Sequence, residues 1–314
     1  MQKRLGHGKF LAKPFLTNLG RCAHRLHNPG VPENQYRIVR LANGTHSVHS
    51  LAHHETFHPV VGPVAEAEAL YVRQLGLADR LRTEPGEFVV WDVGLGAAAN
   101  AVTLLRETGT IPSTLRILSF DHTLDPLLFA LRNTNALPYL IGFEDQLKEL
   151  AENGTTKFRY EAQEIRWEMH LADFPGLLKS PEARAFPKPH AVMFDAFSPA
   201  KNPAMWTLGV FTDLYNLLDP KRPCGLPTYS RSTLLRVTLL LAGFFVGVGH
   251  ATGEKEETTV AANSLELIRE PLDPRWLQRA HRSLSAEPLH EPVYRQAPLS
   301  PASWDQLQQH PQFR

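Results

Sequence analysis

The sequence predicts an α/β fold, an open and mostly parallel sheet with helices on both faces and an antiparallel strand near its C-terminal end. Three observations carry this. From Glu87 onward, apolar runs of strand length alternate with helical stretches, which is the rhythm of parallel βαβ units. The first of these runs enters a glycine turn, Gly94-Leu95-Gly96, directly before a helix. The last two runs, Phe244–Val248 and Glu257–Asn263, are separated by a short polar segment that cannot hold a crossover helix. They must be antiparallel neighbours or lie in different places.

Composition sets the outer bounds. The chain has 314 residues, 43% apolar and 21% charged, with a net charge of +1, which excludes disorder, collagen-like chains and supercharged tails. Two cysteines, Cys22 and Cys224, cannot build a disulfide scaffold or a four-cysteine zinc site, so a reducing, cytoplasmic location without a metal is expected. The most apolar stretch, Leu234–Gly249, is 16 residues long and contains Arg236 and three glycines, too short and too interrupted for a membrane span. No apolar stretch follows the basic N-terminus as a secretory signal would require. Residues 1–40 carry eight Lys/Arg against Glu33, a charge of +7 that leaves −6 over the remainder. A basic arm on an acidic body suits phosphate binding, and equally a solvated terminus.

Four regions follow along the chain. Residues 1–35 read as the basic arm and 36–85 as a hairpin and helix region. Within the latter, Asn43-Gly44 is a hairpin turn, because both residues tolerate positive φ. A helix starts at Val64, with Leu70, Tyr71, Leu75 and Leu77 on a rough helical period, and a turn follows at Thr83–Gly86. Residues 86–262 hold the βαβ rhythm: strand Glu87–Gly94, helix Ala97–Gly109, strand Leu115–Asp121, helices Thr123–Leu131 and Tyr139–Glu152, and strand Glu164–Asp173. Strand His190–Asp195, helix Met205–Leu218, strand Cys224–Ser230 and helix Arg231–Ala242 complete it before the final pair. Residues 263–314, rich in Pro, His and Gln, read as an extended tail packed over the domain or partly disordered.

Chemistry concentrates at the carboxyl ends of the strands, where open α/β sheets bind ligands. Gly94, Gly96 and Ala99 keep the G-x-G-x-x-G/A spacing, and Asp121 ends the next strand, where a carboxylate can hold both hydroxyls of a ribose. This fits a nicotinamide enzyme and a methyltransferase equally. Ala172 and Asp173 end the third strand, at a position that faces an adenine ring in such folds; Asp173 is also a natural N-cap. Asp195 closes an apolar strand and opens Asp-Ala-Phe-Ser-Pro-Ala-Lys-Asn-Pro, whose two prolines shape a polar loop over the cleft.

Several of these segments resemble one family. DVGLGAAANA (Asp92–Ala101), DAFSPAKNPAMWT (Asp195–Thr207), TYSRSTLLRVTLLLAGFFVGVG (Thr228–Gly249) and the hairpin stretch Asn43–Val72 are similar to segments of the methyltransferase domain of the MnmC family. That family makes the wobble-uridine modification 5-methylaminomethyl-2-thiouridine in tRNA. The likeness covers about residues 36–262. It implies a Rossmann-like class I fold that binds S-adenosyl-L-methionine (SAM) through Gly94, Gly96, Asp121, Ala172 and Asp173, with Asp92 near the methionine amine. It also implies Asp195 at the reacting centre, and His58, Glu66, Lys201 and Tyr229 on the substrate side.

The implied reaction is a direct displacement onto a primary amine, in which Asp195 steadies the positive charge arriving on nitrogen and can accept a proton. The implied partner is a tRNA anticodon loop. The family's FAD-dependent oxidase domain has no counterpart in these 314 residues, so only the methyl-transfer half is carried over, with a separate oxidase as a candidate partner. Two departures lie on the substrate side. The segment Gly253–Thr258 is acidic where the family tends to be basic, and Ser230-Arg231-Ser232 lacks a glycine turn. The acidic segment favours a methyltransferase for a small molecule or a protein as the alternative. An NAD-dependent oxidoreductase and a donor-binding protein without catalysis are further ones.

Overall fold

The computed structural model describes residues 35–253 and 256–314. The basic arm expected over residues 1–35 lies outside them save for Gln35, as do Glu254 and Lys255 of the acidic segment. Asn34–Arg314 form one compact unit. It opens with a three-stranded antiparallel sheet, β1 (Tyr36–Arg40), β2 (His46–Ser50) and β3 (Glu55–Thr56). The β1–β2 turn is the expected one: Gly44 has φ +86°, and the Asn43 side chain accepts from the Thr45 N–H at 3.1 Å.

The helix expected from Val64 forms as α1 (Pro63–Ala67), widens into a π-helical turn (Glu68–Arg73), and restarts after left-handed Gly76 as α2 (Leu77–Thr83). The alternation that follows comprises β4 (Glu87–Val93), α3 (Ala99–Thr108), β5 (Ser113–Asp121), α4 (Asp125–Leu131), α5 (Glu144–Asn153), β6 (Thr155–Tyr160) and β7 (Gln163–Leu171). Then come α6 (Phe174–Lys179), β8 (Ala191–Phe194), α7 (Leu208–Leu217), β9 (Gly225–Thr228), α8 (Thr233–Leu241), β10 (Phe245–Gly249) and β11 (Thr258–Ala262).

These strands form one eight-stranded sheet in the order β10-β11-β9-β8-β4-β5-β7-β6. The five central strands, β9 to β7, are parallel. The antiparallel ending is present: β11 lies between β9 and β10 and runs against both. The other edge was not anticipated. β6 pairs antiparallel with β7 across a tight turn at Glu161, whose φ is +49°. Its alternation of Thr156, Phe158 and Tyr160 was masked by the preceding helix.

Each face of the sheet carries its own core. Along β4, Phe88 and Val90 pack into one, and Val89, Trp91 and Val93 into the other, as a period of two requires. The apolar stretch Leu234–Gly249 is split between α8 and β10, and no described helix is long and apolar enough to cross a membrane.

Residues 263–314 do not form an extended tail. They form α9 (Pro274–His281) and α10 (Pro301–Gln308), each started by a capping side chain and a proline, Asp273-Pro274 and Ser300-Pro301. Trp276, Leu277, Ala280 and Leu307 bury into the core over α7 and α8. Beyond α10, Gln312 reaches the outer edge of β10: its amide accepts from Val246 N–H and donates to Val246 C=O, both at 2.7 Å.

Candidate active site

The carboxyl ends of β4, β5, β7 and β8 meet the N-terminal hairpin around a cavity of about 670 Å³. Gly94, Gly96, Asp121, Ala172 and Asp173 line one side. Asp195, His58, Glu66, Lys201 and Tyr229 line the other. Ten of the eleven residues singled out in the sequence thus share one space. Asp92 is the exception: it is fully buried beneath the glycine loop rather than on the cavity wall.

Gly94 has a reason other than ligand approach. Its φ is +92°, and an added Cβ would stand 2.6 Å from the carbonyl oxygen of Asp195, so this glycine lets the end of β8 close against the loop. Above Gly96 (φ +53°) lies the ring of Phe57, 3.2 Å from where a Cβ would be. Asp121 fastens the loop from the next strand: Oδ2 accepts from the Gly96 N–H at 3.0 Å and Oδ1 from the His122 N–H at 2.8 Å. Oδ2, with one donor, keeps a lone pair for a hydroxyl. Asp173 caps α6, accepting from the Gly176 N–H at 3.0 Å, which is the capping role foreseen for it.

Beneath the loop, Trp167 Nε1 donates to Ser119 Oγ at 2.8 Å and Ser119 donates to Asp92 Oδ2 at 2.7 Å. Asp92 Oδ1 is buried without a hydrogen-bond partner, and so is Asn100 Oδ1 on the cavity wall. Two unsatisfied buried acceptors below one loop suit a ligand bearing an ammonium group. The amino-acid end of SAM carries such a group, and these residues fit it. Burial holds the Asp92 carboxyl up at about 7.

Asp195 is the centre of the other side. Its Oδ2 accepts from Asn100 Nδ2 at 2.8 Å and faces His58 Nε2 at 3.5 Å. On the far side of the ring, His58 Nδ1 lies 3.8 Å from Glu66 Oε1. Burial pushes the Asp195 carboxyl up, His58 pulls it down, and Glu66 pushes it up again, leaving it raised. Burial alone would lower His58, but Asp195 and Glu66 outweigh it and hold the imidazole up at about 9. Tyr229 donates to the Ala196 carbonyl at 3.0 Å, which ties β9 to the loop after Asp195.

That loop is also gripped from the hairpin. Glu55 accepts from both the Ser198 N–H, at 3.1 Å, and the Ser198 hydroxyl. His53 stacks on Phe197 with ring centroids 4.0 Å apart, and Phe57 meets the same ring edge-on at 5.5 Å. Trp206 Nε1 donates to the Phe197 carbonyl at 2.7 Å from behind. Asn100, Glu55, His53, Phe57 and Phe197 were not singled out in the sequence. Asn100 is the last residue but one of the quoted glycine-loop segment, one residue inside α3, which was the available signal.

The acidic segment before β11 changes its meaning. Glu257 forms an ion pair with Arg236 at 3.1 Å, and Arg236 is buried and also donates to Thr258 and Thr259. Glu257 therefore holds β11 to α8 instead of forming part of a free acidic surface.

Comparison with known proteins agrees with this architecture. Residues 143–264 match the family described as S-adenosyl-L-methionine-dependent methyltransferase. With the fold, this defines the class: the chain is a SAM-dependent methyltransferase. It is related to the methyltransferase part of the MnmC proteins, named tRNA 5-methylaminomethyl-2-thiouridine biosynthesis bifunctional protein. It is 26% identical over 219 residues to the Ralstonia nicotianae protein, covering 68% of this chain and 32% of that one. It is 22% identical over 241 residues to the one from Leptospira interrogans, covering 73% and 35%. The chain thus spans about a third of the length of these curated relatives. The crystal structure of MNMC2 from Aquifex aeolicus shares the fold, with a TM-score of 0.62 at 23% identity over 82% of this chain and 79% of that one.

Proposed function

We propose that this chain transfers a methyl group from SAM to the aminomethyl nitrogen of a wobble uridine in tRNA. The observation that carries the reading is Asp195: a partly buried carboxylate on the cavity wall, oriented by Asn100, with a second carboxylate, Glu66, across the His58 ring. An ionised carboxylate at such a site attracts an amine and its ammonium form. In this reading Gly94, Gly96, Asp121, Ala172 and Asp173 hold SAM, with Asp92 below its amino group. His58, Glu66, Lys201 and Tyr229 shape the substrate side. The bound donor supplies an electrophilic methyl on a sulfonium.

The amine arrives mostly as an ammonium, so it must lose a proton before its lone pair can react. That proton leaves to solvent as the amine enters. Ionised Asp195 then stabilises the positive charge that builds on nitrogen as the N–C bond forms and the S–C bond breaks, and accepts a proton from the methylammonium product. Much of the remaining rate comes from alignment, which the loop from Asp195 to Pro203 provides through its grip on Glu55. A wobble base lies in a single-stranded loop and can be splayed into a cavity of this size.

A second reading, a small-molecule or protein methyltransferase, draws on exposed Glu256 and the excess of carboxylates in the cavity. Calorimetric titration with SAM, followed by labelled-methyl transfer to bulk undermodified tRNA, separates the two. Binding with label in tRNA is the expected result. Binding without label overturns the tRNA reading in favour of the second.

A further inference from the structure

We propose that His58 is a positioning residue that acts through Asp195: braced by Glu66 as a fixed imidazolium, it keeps Asp195 ionised and aimed at the incoming amine. The proposal rests on the reading of Asp195 as the group that meets the substrate. It is carried by geometry. Both ring nitrogens of His58 face a carboxylate, Nε2 towards Asp195 at 3.5 Å and Nδ1 towards Glu66 at 3.8 Å. A neutral imidazole has one N–H and one lone pair, so either tautomer would set a lone pair against an anion. With both carboxyls ionised, the doubly protonated ring is the form that suits both neighbours.

The backbone says the same. His58 has φ +48°, a conformation side chains rarely adopt, held between β3 and α1 with the residue 9% exposed. Strain of this kind persists where the surroundings enforce it, and here it delivers the ring between the two acids. Among the described residues, the one Lys or Arg that lines this cavity is Lys201, and no contact between it and Asp195 is seen. Asn100 from α3 donates to Asp195, Tyr71 of the π-helical turn and Tyr229 beyond β9 face it, and Asp92 of β4 lies below it. Without His58, no positive charge would stand between Asp195 and Glu66, and their mutual repulsion would favour a proton on one of them. A protonated Asp195 could neither stabilise the charge arriving on nitrogen nor accept a proton from the product.

The signs follow from this. Removing the imidazolium takes away the largest influence that lowers the Asp195 carboxyl, leaving burial and Glu66 to raise it against the smaller opposing hydrogen bonds of Asn100 and Tyr71, so transfer is lost at neutral pH and regained at higher pH. Removing the Glu66 charge lets His58 give up its proton at lower pH.

The test uses the full chain with isotope-labelled histidine. One imidazole is expected to stay protonated to about pH 9 by NMR. That signal should be absent in His58→Gln, and the corresponding ring should titrate lower in both Glu66→Gln and Asp195→Asn. A His58 ring that titrates near its ordinary value of about 6.5 overturns the proposal. In pH profiles of methyl transfer to tRNA, His58→Gln should raise the acid limb by about one pH unit while SAM affinity stays within about twofold. A uniform loss of rate with unmoved limbs indicates a merely structural His58 and also overturns it. If His58→Gln does not fold, Glu66→Gln carries the same test. If the unaltered chain never methylates tRNA, the substrate reading fails, and the NMR titration still decides the role of His58.

Discussion

Asp92 is fully buried and Asp195 only partly so, and their surroundings give the two carboxylates opposite tasks. Asp195 has a cation and an amide donor beside it and is the proposed proton acceptor. Asp195→Ala is therefore expected to lower turnover about 10²- to 10⁴-fold while calorimetry shows SAM affinity nearly unchanged. Asp92 has one hydroxyl donor and no cation, so burial raises it from 3.8 to about 7. Between those values the folded chain binds a proton that the unfolded chain has released. Its contribution to stability is present at low pH and is lost as pH rises through about 7. Asp92→Asn should then gain several °C in Tm relative to the parent at pH 8 and little at pH 4, and should bind SAM more weakly. The strand-end acids were legible in the sequence because an open α/β sheet places its ligand residues there. Glu55 was not, because its meaning comes from Ser198, which is 143 residues away in the chain and reaches it only in the folded state.

At the scale of elements, the N-terminal hairpin closes the site. Glu55 holds the loop after β8, and Phe57 covers the loop after β4, so one short strand restrains both halves of the cavity. Glu55→Gln keeps one acceptor and loses the charge. It is expected to raise KM for the nucleic-acid substrate several-fold, with a smaller change in SAM affinity, since a hydrogen bond to a charged group contributes about 1.5–3 kcal/mol. Steady-state kinetics with each substrate varied in turn checks this. The parallel core, the glycine turn and the antiparallel ending were readable because alternation and loop length determine them. β6 and the helices α9 and α10 were not. β6 is a six-residue edge strand abutting a helix. The two late helices are each eight residues long, α9 rich in Arg and α10 in Gln, so their formation depends on packing into the core more than on propensity.

For the molecule as a whole, charge is the lever on substrate choice. The cavity wall is acidic, so phosphates must be held elsewhere, and the first 40 residues carry a net +7. If that segment neutralises about six phosphates, tRNA affinity should fall about 10³-fold between roughly 50 and 200 mM salt. Removing residues 1–30 should flatten that slope while leaving SAM binding intact, as filter binding across a salt series would show. A flat response in the complete chain would count against the role. A different whole-molecule consequence comes from Gln312. Its amide completes the cover of the last strand begun by Glu270–Leu272, which bonds Val248 N–H and Val246 C=O, by taking the Val246 N–H that this segment leaves over. An unpaired strand margin is a template for another copy. Gln312→Ala should therefore shorten the shelf life of concentrated stocks, with particle growth visible by light scattering before any loss of catalytic rate.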